Sequence, residues 1–149
     1  MKIISNTLIG SKHLRNEDLH YISPELKSKC ENYKLMMIMD GISAYQNAST
    51  LTKMCNDYLT SISEKKMFTL VSDMFNGKNI DFMRNISMFA VECKSGSTIS
   101  LLILEQNSKK CLTYNMGDSP IYLFRKNILL PIYGDCSLPV YNNRNYDYR

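Results

Sequence analysis

A run of five apolar residues that ends in an Asp-Gly pair limits most strongly what this chain can fold into. The run occupies residues 35–39, and Asp40 and Gly41 follow it directly. Because its apolar residues do not alternate with polar ones, the run predicts a strand that is buried on both faces rather than at a sheet edge. Asp40 would then lie at the mouth of a buried strand, where Gly41 lets the backbone turn close to a ligand.

Residue periodicity in the rest of the chain predicts strands, then helices, then strands again. Two β-prone runs lie at residues 2–8 and 20–22. The apolar run belongs to the third predicted strand, which covers residues 34–39. Apolar residues at three- and four-residue steps then predict a helix over residues 44–62. Two further helices are expected over residues 65–74 and 80–93, separated by the break at residues 76–79. Four further β-prone runs follow, at residues 98–105, 111–115, 121–125 and 128–132. This order is typical of an α+β fold with antiparallel pairing.

Composition restricts the class of protein and its partners. The chain has 149 residues, 44% of them hydrophobic, which suits one globular domain; we place it at residues 1–138, with a loose tail over residues 139–149. The formal net charge of +4 is scattered rather than gathered in a basic stripe, which argues against nucleic-acid binding. No run approaches the roughly 20 apolar residues that cross a bilayer, and no secretory signal is visible, so we expect a cytoplasmic protein without a membrane partner.

The cysteines favour neither a zinc site nor a disulfide framework. Their number is odd, and no two of the five lie closer than 18 residues apart in the sequence. We therefore expect reduced thiols with a structural role.

Carboxylates recur at three places along the chain, two of them directly beside a glycine. Glu17 and Asp18 form the first group, Asp40 the second, and Asp118 the third. Spaced carboxylates can gather hard metal ions, and oxygen ligands suit Mg²⁺ or Mn²⁺ better than zinc. Each group alone also reads as a solvated or strand-connecting turn, since Asp and Gly are favoured in turns. Their joint occurrence makes the chain a candidate metallophosphatase.

The order of these segments resembles that of a known family. Four stretches look like the amino-terminal two-thirds of the metal-dependent serine/threonine protein phosphatases of type 2C (PPM type): residues 10–18, 36–41, 95–98 and 114–122. The resemblance implies a carboxyl-terminally truncated or divergent member of that family. Its fold would be an antiparallel β-sandwich flanked by helices, missing the family's last strands.

The resemblance also implies a centre of Mn²⁺ or Mg²⁺ that activates a water for direct attack on phosphorus. Asp40 would bridge the metals and Gly41 would offer its carbonyl oxygen. Glu17 and Asp18 would hold one metal through its waters. Asp118 would match the residue associated with a third, weaker metal.

Two features depart from the family pattern. His13 stands where the family has a phosphate-binding arginine, and its neighbours Lys12 and Arg15 are the other candidate phosphate ligands. Neither His nor Lys reproduces the bidentate fork of an arginine at that position. In addition, two aspartates that complete the family's first metal site have no matching context after Asp118, so a site of one ion only is an alternative.

Three functions follow from this pattern and stay open. The first is a phosphatase that hydrolyses phosphomonoesters on phosphoprotein substrates, with its fold completed by a second copy or a partner chain. The second is a pseudophosphatase, a catalytically inactive module that binds a phosphoprotein, a kinase or an authentic phosphatase. The third is an oligomerising fragment with an open sheet edge. The resemblance favours the first.

Overall fold

The computed structural model describes residues 2–8, 15–78, 81–132 and 145–147. Among the elements of these residues, strands come first and last and the helices lie between them, as predicted. The elements in order are β1 (Leu19–Ile22), β2 (Leu26–Lys27), β3 (Asn32–Met39), α1 (Ala48–Ser61), α2 (Glu64–Phe75), α3 (Asp81–Cys93), β4 (Ile99–Glu105), β5 (Lys110–Met116), β6 (Tyr122–Arg125), β7 (Ile128–Pro131) and β8 (Asn145–Asp147). The α+β class is confirmed.

A six-stranded antiparallel sheet forms the centre of the fold. Its order is β1-β3-β4-β5-β8, and β2 pairs with the other end of β3. The apolar run of β3 lies between β1 and β4, with Leu35 opposite Ile103 and Met37 opposite Leu101. The predicted central position of this strand is therefore confirmed.

The hydrophobic core lies between one face of this sheet and the three helices. Alternate residues of the central strands point toward it, because successive side chains of a strand face opposite sides. The core joins these residues to apolar positions of each helix, among them Leu35, Met37, Leu101, Ile103, Leu51, Cys55, Leu59, Val71, Phe82 and Ile86. The positions in α1 are among those whose spacing predicted that helix. Helix α1 begins at Ala48 rather than at residue 44, because the Tyr45 N–H bonds the Ile42 carbonyl and closes a turn first.

The opposite face of the sheet is less covered than the sequence predicted. Met36 is half-buried and Ile38 is 55% exposed, so β3 is not buried on both faces. Both residues border a cleft of about 620 Å³ whose other walls include residues 3–7 and 119–122. As a second sheet, the described residues supply only the pair β6 and β7. An apolar run can thus reflect a face that borders a cleft as well as one that is fully packed.

Residues 2–8 were predicted to form a strand and instead have no regular structure. A strand requires backbone pairing with a neighbour, and within the described residues no strand pairs with this segment. Its side chains are correspondingly accessible, with Ile4 81% and Leu8 78% exposed. A β-prone composition was not sufficient without a partner strand.

The carboxyl-terminal predictions fall mostly outside the described residues. Within the predicted tail, Asn145–Asp147 pair with β5, where Tyr146 lies opposite Cys111. The domain end at residue 138 stays a prediction.

Three of the described cysteines, Cys30, Cys55 and Cys93, are free thiols. Burial raises the pKa of the Cys55 thiol to about 12, so that group stays protonated at neutral pH. None of the helices in the described part of the chain has the length and apolar character needed to span a bilayer.

The core predicts a contrast between two equivalent substitutions. Leu101→Ala removes a fully buried side chain and should lower the free energy of unfolding by about 2–5 kcal/mol. Leu129→Ala changes a side chain that is 59% exposed and should cost no more than about 0.5 kcal/mol. Urea denaturation measures both values. Similar losses in the two variants would contradict the position of the core.

Candidate functional site

The end of β3 holds Asp40 through its backbone. The Asp40 N–H donates to Thr98 Oγ1 at 3.2 Å, and the Asp40 carbonyl accepts from the Thr98 N–H at 2.9 Å. Ser97 Oγ donates to the same carbonyl at 2.9 Å. Because the entry to β4 fixes both backbone polar groups of Asp40, its exposed carboxylate leaves the sheet at a defined position.

Gly41 lies directly against the backbone of Glu17. Its N–H donates to the Glu17 carbonyl at 3.2 Å. A Cβ at residue 41 would lie 2.6 Å from that carbonyl oxygen and 3.1 Å from Ala48 Cβ. Only glycine allows this approach without a shift of backbone. The glycine thereby keeps Glu17 and Asp18 beside the end of β3.

Hydroxyl and amide groups orient the first two carboxylates. The Asp18 N–H donates to Asn16 Oδ1 at 3.0 Å, which closes a local turn. Asp18 Oδ2 accepts from Thr7 Oγ1 at 3.2 Å, and Asn16 Nδ2 donates to that hydroxyl at 2.9 Å. Glu17 Oε2 accepts from Ser43 Oγ at 2.9 Å. Each carboxylate therefore has a hydroxyl donor.

The turn after β5 brings Asp118 to the same end of the sheet. Gly117 precedes it with a φ of 103°, in the region that favours glycine. A Cβ at Gly117 would lie 2.8 Å from Thr98 Cγ2, so the turn packs closely on the residue that holds Asp40.

The other three acidic residues lie close enough to Asp40 to act on its carboxyl group electrostatically. Partial burial raises the pKa of the Asp40 carboxyl, and the neighbouring Asp18 raises it further by charge and by a side-chain hydrogen bond. Asp118 and Glu17 add smaller effects of the same sign. Three separate segments of the chain thus place negative charge around Asp40, and the residues that the sequence singled out do come together.

The donor chemistry fits one hydrated divalent ion. Among the described residues, no three His, Cys, Asp or Glu side chains form a group that could enclose a metal ion. Mg²⁺ does not require such a cage, since it is commonly bound by one or two carboxylates and keeps several waters. The adjacent carboxylates of Asp40 and Asp18 meet that requirement.

The candidate phosphate ligands are only partly described. Lys12 and His13 lie outside the described residues. Arg15 is exposed, and the ion pair found within the described part of the chain joins Lys27 to Glu25 instead. Arg15 is thus the one candidate phosphate ligand that the described residues include.

The 620 Å³ cleft reaches this end of the sheet. Asp18, Asp40 and Ser119 line it together with apolar residues of β3. A molecule in the cleft would meet the carboxylates at one end and the side chains of Met36 and Ile38 along its floor.

Sequence reasoning missed the hydroxyl residues that hold the site together. The predicted strand over residues 98–105 begins at Thr98 but implies no contact with Asp40, and the sequence predicts no role for Ser43, Thr7 or Ser119. The sequence did carry a signal for Thr98, because Thr98 begins the predicted strand over residues 98–105, and that strand could pair with β3. The register that pairs the two strands could not be read from either run alone.

Neither a family model nor a curated protein matches the sequence. Solved structures, in contrast, match the fold of this chain. A serine/threonine phosphatase from Staphylococcus aureus superimposes with a TM-score of 0.58 at 20% identity, over 85% of this chain and 50% of that chain. The S. agalactiae serine/threonine phosphatase superimposes with a TM-score of 0.53 at 19% identity, over 87% of this chain and 54% of that chain. The serine/threonine phosphatase of Mycobacterium tuberculosis superimposes with a TM-score of 0.55 at 18% identity, over 85% of this chain and 51% of that chain.

At these identities the likeness establishes the fold. The chain has the fold of the bacterial serine/threonine phosphatases and spans about half the length of these solved structures. The resemblance drawn from the sequence motifs is confirmed at that level.

The close approach at Gly41 predicts a specific loss of stability. Gly41→Ala forces a methyl group against backbone and should lower the free energy of unfolding by about 1–3 kcal/mol. Gly96→Ala is the control, because its Cβ would meet only the side chains of Ile42 and Tyr45, at 3.2 Å, and both are exposed. Chemical denaturation should show a cost under about 1 kcal/mol for the control. A Gly41→Ala protein as stable as wild type would contradict the geometry.

The raised pKa of Asp40 predicts how stability depends on pH. The native state binds the Asp40 proton more tightly than the unfolded state does, so this group lowers stability as pH rises from about 3.9, the unfolded value, through its native pKa. In EDTA at pH 7, Asp40→Asn should therefore have a higher urea midpoint than wild type, and the difference should shrink below about pH 4.

Asp57→Asn is the matched control for this measurement, because Asp57 is exposed on α1 outside the carboxylate group. Its midpoint should follow that of wild type. A lower midpoint for Asp40→Asn at pH 7 would contradict the mutual repulsion of the carboxylates.

Proposed function

We propose that this chain, which has the fold of bacterial serine/threonine phosphatases, hydrolyses phosphomonoesters with the help of bound Mn²⁺ or Mg²⁺. Its substrates would be phosphoserine and phosphothreonine proteins. The observation that carries the proposal is that three acidic segments meet at one end of the sheet: Gly41 packs against Glu17, Gly117 packs against Thr98, and Asp18 and Asp40 line the same cleft. Excess negative charge beside an open cleft favours a cation there.

Each residue has a role in this proposal. Asp40 would bind the ion directly, and Gly41 would offer its carbonyl oxygen. Asp18 and Glu17 would hold the ion through its waters, and Asp118 would add negative charge to the site. When bound, a divalent ion supplies Lewis-acid polarisation of a phosphoryl oxygen and activation of water.

Substrate positioning would come from the rest of the site. The exposed guanidinium of Arg15 is suited to an anionic phosphoryl group, for which Arg offers paired donors. His13 and Lys12 remain candidates for the same role. The cleft would take the part of the substrate next to the phosphate.

A second ion would need carboxylates beyond these four. A second copy, a partner chain or residues outside the described part would have to supply them. The completion of the fold by a second copy or partner, and a cytoplasmic location, stay predictions.

The proposal is tested by hydrolysis of p-nitrophenyl phosphate and of a phosphothreonine peptide, with and without Mn²⁺. Wild type should show turnover that depends on Mn²⁺. Asp40→Asn should lose at least about 100-fold in rate, because the site loses a charged group that acts on the reacting centre. Asp57→Asn should match wild type. Calorimetric titration with Mn²⁺ on the same three proteins separates binding from turnover.

The outcomes distinguish the enzyme from the binding module. Binding of Mn²⁺ at Asp40 without turnover would overturn the enzymatic proposal and favour a phosphoprotein-binding module. Failure to bind Mn²⁺ would remove the metal site as well.

A further inference from the structure

One buried hydroxyl group connects the two segments that carry Asp40 and Asp118. Thr98 Oγ1 accepts from the Asp40 N–H at 3.2 Å and lies 2.6 Å from Ser119 Oγ. A hydroxyl has one proton and two lone pairs, so it can make both bonds at once. Thr98 is 8% exposed, and water therefore competes little with this pair.

The Ser119 side of this connection is also held in place. The Ser119 carbonyl accepts from Asn115 Nδ2 at 2.7 Å and from Ser100 Oγ. Asn115 Nδ2 also donates to Ser100 Oγ at 2.8 Å. Ser100 and Asn115 lie opposite each other on β4 and β5 and are both buried. The turn that carries Asp118 is thus fixed to the sheet through Ser119.

We infer that Thr98 and Ser119 are positioning residues for the metal site: their hydroxyl–hydroxyl bond sets the separation between the carboxylates of Asp40 and Asp118 and thereby the affinity for a divalent ion. Neither hydroxyl needs to touch the ion. The inference rests on the proposed function, because it concerns the same site. Groups that orient metal ligands commonly contribute about 10–100-fold to metal affinity.

The two residues differ in how much of the site each one holds. Ser119→Ala removes the bond between the hydroxyls and leaves the Asp40 backbone bonded to Thr98. Thr98→Val keeps the shape of the side chain and removes both bonds of its hydroxyl, the one to the Asp40 N–H and the one to Ser119 Oγ. Ser119→Thr retains a hydroxyl and should restore most of the affinity that Ser119→Ala loses.

Thr113 provides a matched control. Its hydroxyl is buried on β5, on the same face of the sheet as Asn115, and has no hydrogen-bond partner among the described residues. Thr113→Val is therefore the same isosteric change as Thr98→Val without a bond to lose. It should leave metal affinity unchanged.

The test is Mn²⁺ binding to the full chain, measured by calorimetry and by electron paramagnetic resonance of the free ion, with circular dichroism as a check on folding. Ser119→Ala and Thr98→Val should each weaken binding by about tenfold or more. The double variant should be no weaker than Thr98→Val alone, because that single change already removes the shared bond. Should Thr98→Val fail to fold, the comparison of Ser119→Ala with Ser119→Thr decides.

Four results would overturn the inference. These are wild-type affinity in Ser119→Ala, no recovery in Ser119→Thr, losses that add in the double variant, and an equal loss in Thr113→Val. Wild type that binds no Mn²⁺ would instead defeat the proposed function, and the positioning role would fail with it. Binding by wild type with unaffected variants defeats the positioning role alone.

Discussion

The antiparallel register between β3 and β4 determines where the acidic groups of this protein meet. It places Thr98 opposite the end of β3, where its N–H and hydroxyl take both backbone polar groups of Asp40. Since β1 begins and β5 ends at this same end of the sheet, Asp18 and Asp118 lie there as well. A shift of one residue in this register would reverse the side chains of β3 and separate the carboxylates from each other. The core and the candidate site therefore depend on one alignment.

Two glycines allow the segments around Asp40 to pack closely against each other. Gly41 admits the backbone of Glu17, and Gly117 admits the side chain of Thr98. Both contacts bring acidic residues near Asp40, where burial and charge raise its pKa. This arrangement costs stability in the absence of a cation, since like charges are held together. Such a cost without a structural benefit is typical of functional sites, where a ligand offsets it.

Much of the fold could be predicted from local pattern, because the pattern reports which side chains are buried. The spacing of Leu51, Cys55 and Leu59 predicted α1, and the apolar run before Asp40 predicted a central strand. Pattern does not reveal what covers a residue. Residues 2–8 have no partner strand among the described residues, and Ile38 borders a cleft, so both predictions failed.

The same limit applies to the candidate site. The carboxylates could be picked out because residue type and adjacent glycines carry that signal. Their supports could not, because Thr98 lies 58 positions from Asp40 and 21 from Ser119 in the sequence. Only the sheet register brings these hydroxyls together, and that register results from the packing of the whole domain.

The central claim is that the meeting carboxylates form a cation site, and ion-dependent thermal unfolding of the wild-type chain tests it most directly. A ligand that binds only the native state stabilises it by about 2.7 kcal/mol at 100 times its Kd. If the carboxylates bind a cation, the Tm rises steadily with Mn²⁺ concentration, and NaCl of equal ionic strength does not reproduce the rise. A Tm that responds to Mn²⁺ and NaCl alike would reduce the effect to charge screening and contradict a cation site.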